Sequence, residues 1–273
     1  MPKRWMCANR TAFFCVALVV LGFFSLSAWA QVPGLNGVAH AAIRVKDLAA
    51  ARSFYQKLGF DEAFTLSKDG VVNESFIKIN DRQFIELYPV TEKNTEVGFL
   101  HLCFEGADLD AINRDYVSRG LTPKTVKKAG AGNLLFTMEG PEGQNIEYTQ
   151  YMPGSLHSND RGNHLGTNRI ADQMVTVSLA MKDMDAARTY YLEKLKFTAS
   201  PKNPMLLDLP GGSGQHVEIV SSELGQRSRI ALETSDLRKA AASLKAEQIP
   251  ATKSKDGLTV TDPDGNIILI QAR

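Results

Sequence analysis

Cysteine is scarce in this chain: there are three in 273 residues. Two of them, Cys7 and Cys15, fall within the first thirty residues, a stretch that reads as a removable leader. Without it only Cys103 remains. No intramolecular disulfide can then form, and a structural zinc site built on cysteine lacks ligands. A surplus of charge of one sign is missing too. Lys and Arg number 31 against 30 Asp and Glu, a net charge of +1, so nothing electrostatic points to nucleic acid or an acidic membrane as partner. Hydrophobic residues make up 44% and charged residues 22%, a composition that fits a globular protein stabilised by its core.

The leader has three parts. "MPKRWMCANR" carries Lys3, Arg4 and Arg10 and no acid; "TAFFCVALVVLGFFSLS" is apolar and uncharged; "AWA" precedes Gln31. A basic start, an apolar centre and small residues before the cut describe a secretory signal peptide over residues 1–30, with cleavage near Ala30–Gln31. The expected location is secreted or periplasmic, with no membrane association after cleavage. An N-terminal membrane anchor is the alternative, because the apolar run approaches spanning length. Cleavage takes three of the 31 basic residues and leaves 28 against 30 acidic ones.

The chain then repeats itself. "VKDLAAARSFYQKLGF" (45–60) resembles "MKDMDAARTYYLEKLKF" (181–197), and "GPEGQNIEYTQ" (140–150) resembles "DPDGNIILIQA" (262–272). Two copies of one domain are expected, at 37–151 and 171–273. Residues 152–170 between them are rich in Gly, Asn and Ser and lack apolar periodicity, which reads as a linker or surface loop. His157 and His164 lie there and read as solvated.

The first copy contains a fainter duplication. His40 and His101, Asp47 and Asp108, Gly59 and Gly120, and Glu86 and Glu147 all stand 61 positions apart. A strand over 38–45 turns Val38, Ala41, Ile43 and Val45 inward and leaves His40 on the opposite face with Ala42 and Arg44. A helix over 47–57 follows, with Leu48, Ala51, Phe54 and Tyr55 at helical spacing, Asp47 as N-cap and Gly59 as stop. Strands over 62–67, 73–79 and 82–89 complete the unit, "NDR" (80–82) turning between the last two. The same order recurs from 99 to 150. The fold class is α+β: each domain consists of two paired strand–helix–three-strand (βαβββ) modules forming a curved mixed sheet, with the helices on its outer face and the other face open.

A paired module of this kind, with "HxxIxVxDL…FYxxLGF" and "GPxGxxIE", resembles the vicinal oxygen chelate superfamily. That superfamily includes glyoxalase I, type I extradiol dioxygenases, fosfomycin resistance proteins, methylmalonyl-CoA epimerase and bleomycin-binding proteins. The resemblance spans nearly all of the chain after the leader and implies two tandem domains of that fold. It does not select one activity.

Strand alternation places His40, Glu86, His101 and Glu147 away from the helices, and pairing the two modules about a pseudo-twofold brings the four together. Two imidazoles and two carboxylates suit one divalent first-row ion, Zn, Ni, Co, Mn or Fe. In the resembled family the metal ligands come from these same strand positions, which implies His40, Glu86, His101 and Glu147 here; Glu86 is the weakest member of the set. The second domain has lost the pattern. Thr176 stands for His40, Arg229 for His101 and Leu269 for Glu147, leaving Glu218, with His216 beside it on the strand. With all four candidates in the first domain, its modules should pair with each other, or be swapped between two chains of a homodimer; monomer and homodimer both remain open.

Three functions compete. In a glyoxalase-like lyase or isomerase, a small substrate with vicinal oxygens chelates the metal and Glu147 or Glu86 takes a proton. Extradiol ring cleavage would use Fe with His40, His101 and Glu147. The resemblance implies a further histidine and a tyrosine on the strands before the last ligand, but that stretch has no histidine, and Thr137 stands where the tyrosine is expected. The third is a non-catalytic binding protein that sequesters a small molecule.

Overall fold

The structure, a computed structural model, describes Met1 and residues 34–273. Apart from Met1, the expected leader, its cleavage point at Ala30–Gln31, and Cys7 and Cys15 lie outside the described residues. Among the described residues no helix is long and apolar enough to cross a membrane.

The first module runs β1 (Leu35–Val45), α1 (Leu48–Lys57), β2 (Glu62–Lys68), β3 (Val71–Asn80) and β4 (Gln83–Pro89). The second runs β5 (Gly98–Gly106), α2 (Leu109–Ser118), β6 (Lys127–Lys128), β7 (Leu134–Glu139) and β8 (Asn145–Gln150). A short helix, α3 (Leu156–Asn159), follows. The second half repeats the plan with β9 (Gln173–Met181), α4 (Met184–Thr189), β10 (Thr198–Ala199), β11 (Leu206–Asp208), β12 (His216–Ser221), β13 (Arg229–Thr234), α5 (Leu237–Ala246), β14 (Thr252–Lys253), β15 (Leu258–Thr261) and β16 (Ile267–Ala272).

An aspartate starts each module's helix. Asp47, Asp108, Asp183 and Asp236 accept hydrogen bonds from the amides of Ala50, Ala111, Ala186 and Lys239 at 2.9–3.0 Å, satisfying donors that a first helical turn leaves unpaired. α1 stops at Gly59, whose φ of +82° is left-handed. In the second half one more residue separates the same landmarks, and Tyr190–Lys194 absorbs it as a π-helical turn,.

Each half is an eight-stranded mixed sheet, ordered β2-β3-β4-β1-β5-β8-β7-β6 and β10-β11-β12-β9-β13-β16-β15-β14. The modules pair within one chain, along the antiparallel seams β1–β5 and β9–β13. The helices cover one face, where Ala51 and Tyr55 of α1 and Leu109, Ile112 and Tyr116 of α2 are buried. One hydrophobic core runs through both halves, from Leu35 to Ile270.

The seam departs from strict alternation. Val38 faces Phe104 and His40 faces Cys103, so Ala39 is an extra, bulged residue. Val175 is bulged at the matching place, between Met174 facing Leu232 and Thr176 facing Ala231. This resolves a conflict in the sequence pattern: Val38 and His40 have the same parity, yet Val38 joins the core and His40 does not,. The halves seal each other's bulges. The Val38 amide donates to Gln215 Oε1 at 2.5 Å. The Met174 amide donates to Gln83 Oε1 at 2.8 Å, and Gln83 Nε2 donates back to the Met174 carbonyl at 2.9 Å. Gly37, with φ +150°, leaves room for this exchange, since a Cβ there would meet the Gln215 side chain.

Candidate metal centre

Strand register assembles the site. One row across the first sheet reads Phe84, His40, Cys103, Glu147, Thr137, and the next reads Glu86, Ala42, His101, Asn145. Members of a row point to the same side of the pleat. His40, Glu86, His101 and Glu147 therefore converge on the face away from α1 and α2.

His40 is the hub. Its Nε2 lies 3.1 Å from His101 Nε2 and 3.6 Å from Glu147 Oε1, and its Nδ1 lies 2.9 Å from Glu86 Oε1. The Nδ1 contact lacks hydrogen-bond alignment, and this buried atom has no hydrogen-bond partner. Two nitrogens bound at right angles to one ion at about 2.1 Å would stand about 3.0 Å apart, close to the observed spacing. Two ligand triads share His40: one with Glu86 and His101, the other with Glu147 and Cys103. Glu86 approaches the Nδ1 side of the ring while His101 and Glu147 approach the Nε2 side. An ion on Nε2 would thus leave Glu86 orienting the ring, a familiar arrangement for metal-bound histidines.

Burial governs the protonation of these groups. It lowers the pKa of His40, and it lowers that of His101 to about 3, with His40 adding to the effect, so both imidazoles are neutral ligands at neutral pH. Burial raises Glu147 to about 7. It raises Glu86 to about 8, against hydrogen bonds that work the other way. Neutral imidazoles and closely spaced buried carboxylates fit a divalent cation of the first transition row.

Two acid-site residues escaped the sequence reading. Tyr88 OH donates to Glu74 Oε1 at 2.6 Å and contacts Glu86 Oε2 at 3.0 Å. Glu74 sits on β3, and burial followed by repulsion from Glu86 raises its pKa to about 8. Period-two alternation shows both, Tyr88 through Glu86 and Glu74 through Phe76.

The pKa shifts give a pH prediction for the metal-free protein. The folded state holds protons on Glu74, Glu86 and Glu147 up to pH 7–8, whereas the unfolded chain releases them near pH 4.5. Their contribution to stability is complete below the unfolded value and is lost as pH rises through 7–8. The lowered histidines count against folding at acidic pH, a cost that fades as pH rises to about 6.5 and changes nothing beyond it,. The metal-free protein should therefore melt lower at pH 8.5 than at pH 6.5, by about 3 °C for each kcal/mol involved. A divalent ion should abolish the difference in a melting scan; a flat metal-free profile over that range refutes the shifts.

Residues 152–170 correct the expectation of a surface loop with solvated histidines. His164 is half-exposed, but His157, on α3, is only 5% exposed. Lys78, a fully buried β3 lysine, holds the segment down: its ammonium donates to the carbonyls of Asp160 and Asn163 and to Asp160 Oδ2, each at 2.7 Å. A buried charge needs such partners. His157 thus closes a cavity of about 220 Å³ that reaches His40, Glu74, Glu86 and Glu147 and opens past Lys127 and Lys128. Tyr88 lines this cavity as well.

The second half shows the same rows without the site. Thr176 faces His216 as His40 faces Phe84, and Arg229 faces Ser178 as His101 faces Ala42. Arg229 Nη2 reaches Glu218 Oε2 at 3.2 Å, and Ser178 Oγ reaches it at 2.6 Å. A guanidinium thus meets the one retained carboxylate. Leu269 packs with Val175 and Ala231. His216 pairs with Asp208 at 2.8 Å.

Comparison with known proteins agrees with this fold. Residues 37–148, the first domain, match the Glyoxalase/Bleomycin resistance protein/Dioxygenase superfamily. Among solved structures, the Mn(II)-bound glyoxalase from Novosphingobium aromaticivorans is 13% identical, with a TM-score of 0.65 over 88% of this chain and 82% of that one. The 2,3-dioxygenase LapB from Pseudomonas sp. KL28 is 17% identical, with a TM-score of 0.66 over 89% and 93%. An extradiol ring-cleaving dioxygenase from B. fuscum is 17% identical, with a TM-score of 0.65 over 89% and 73%. At these identities the likeness is one of fold, and it extends to the tandem arrangement. No curated protein matches the chain.

Proposed function

We propose that the chain is an exported, metal-dependent member of this superfamily acting as a glyoxalase-like lyase or isomerase on a small substrate with vicinal oxygens. The observation that carries the reading is the convergence of two imidazole nitrogens 3.1 Å apart with Glu147 at the end of a cavity that also holds two further carboxylates. His40, His101 and Glu147 would hold a divalent ion, and Glu86 would steady the His40 ring. Such an ion supplies Lewis acidity to two substrate oxygens. The chain's own part is proton handling. Glu86 and Glu74 share the Tyr88 hydroxyl, and acids with pKa near 8 can hold or release a proton at working pH. Glu74 lies outside the ligand set and is free to move one.

Exchange of the α-proton of small hydroxycarbonyl compounds in D₂O tests this reading. Glu74→Gln should lower the rate about 10²-fold or more while metal content stays at the wild-type level. Wild-type protein with full metal content and no exchange activity on such compounds counts against it.

Extradiol ring cleavage is the second reading. Tyr88 and His157 beside the site favour it, as does the likeness to two dioxygenases. Oxygen uptake by the Fe(II)-loaded protein with catechols separates the two. A metal-bearing protein inactive in both assays points to the binding-module alternative.

A further inference from the structure

The residues lining the cavity include two lysines, Lys127 and Lys128. They are neighbours on β6, an exposed edge strand, where lysines commonly guard a sheet against stray pairing. Register tells them apart. Lys127 stands opposite Leu135, and Leu135 opposite Thr149. That row lies two residues along from Thr137 and Glu147, so it shares their face of the sheet. Leu135 and Thr149 accordingly line the cavity. Lys128 stands opposite Leu134, which packs against the hydrophobic core on the other face. Of the pair, Lys127 is the one directed into the cup.

Its ammonium meets no acid. Lys78 has Asp81 and Asp160, whereas Lys127 forms no ion pair with any described residue. The wall beside it is apolar, made by Leu66 and Leu135. The turn after β6 closes on that wall, since a Cβ on Gly130 would stand 3.0 Å from Leu66 Cδ1. Charges attract more strongly beside such a surface than in open water. Lys127 lies two strands and two residues from Glu147, about 12 Å along the sheet. The lysine side chain spans part of that distance, and the tail of a short ligand can fill the rest.

We propose that Lys127 is a specificity-determining residue, pairing with an anionic group, carboxylate or phosphate, that the chelating molecule carries at the end away from its vicinal oxygens. The inference rests on the functional reading above and narrows its substrate class to small hydroxycarbonyl compounds with an acidic tail.

The test is calorimetric binding to the zinc-loaded protein, a redox-inert complex, with two matched pairs of probes. One pair is δ-hydroxylevulinate and its neutral methyl ester; the other is dihydroxyacetone phosphate and dihydroxyacetone. Wild-type protein should bind an anionic probe about tenfold more tightly than its neutral match. Lys127→Gln should remove that preference, with neutral-probe affinity and zinc content as in wild type. Lys128→Gln makes the same change in charge on the other face and should keep the preference. A preference confined to one pair supports the inference and identifies the tail as carboxylate or phosphate. Equal binding of both members of each pair by wild type, a preference that survives Lys127→Gln, or an equal loss in Lys128→Gln overturns the inference alone. Failure of the zinc-loaded wild type to bind any of the probes overturns it together with the functional reading beneath it.

Discussion

Protein purified without a chelating tag is expected to carry close to one divalent ion per chain, and His101→Ala or Glu147→Ala to carry almost none. Elemental analysis measures it. Each substitution removes one of the groups gathered on the Nε2 side of His40. Loss of a ligand should exceed the 10–100-fold typical of supporting residues, that is, more than about 2.7 kcal/mol. Glu86→Ala should fall within that lower range, because Glu86 faces the other ring nitrogen. Glu218→Ala is the control: its carboxylate is already matched to Arg229 and Ser178, and ion content should not change. A protein without metal even after reconstitution would transfer the weight to a metal-free binding role.

Lys78→Ala should produce the largest loss of stability of any single lysine substitution. The substitution leaves the Asp160 carboxylate, 7% exposed, without its main cation. Breaking one partner out of a buried pair costs about 3–5 kcal/mol, a fall of about 10 °C in melting temperature for a chain of this size. Asp81, 2.9 Å from the same ammonium, loses its partner as well. Residues 152–164 should loosen first, which limited proteolysis would report as new cleavage there. Lys127→Ala and Lys128→Ala, on the exposed edge strand β6, should stay within about 0.5 kcal/mol of wild type. Equal melting temperatures for Lys78→Ala and these controls would show that the buried ammonium anchors nothing.

Much of this was readable in the sequence because it depends on period and repetition. His40, Glu86, His101 and Glu147 recur at one offset on strands with a period of two, and the register confirms that all four share one face. The substitutions of the second half, Thr176, Arg229 and Leu269, also fall where the repeat places them. The unread parts depend on tertiary contact. The bulge at Ala39 has no local marker. His157 lies in a stretch without periodicity, and its anchor is hidden too: Lys78, between Ile77 and Ile79 on a strand, reads by alternation as solvent-facing, and only the fold lays Asp160 over it. The glutamine exchange left a fuller trace, since Gln83 and Gln215 each stand three residues before Glu86 and Glu218. The role of that spacing emerges only when the two sheets are seen side by side.

That exchange bears on why a half without ligands stays attached. The amide sealed by Gln215 belongs to Val38, two residues from the histidine at the hub of the centre. Stripped of its companion, the ligand-bearing half would present that N–H to solvent and lose the brace that sets the angle of the bend. The barren half thus acts as a buttress, and damage to it should register first as a blunted grip on the ion.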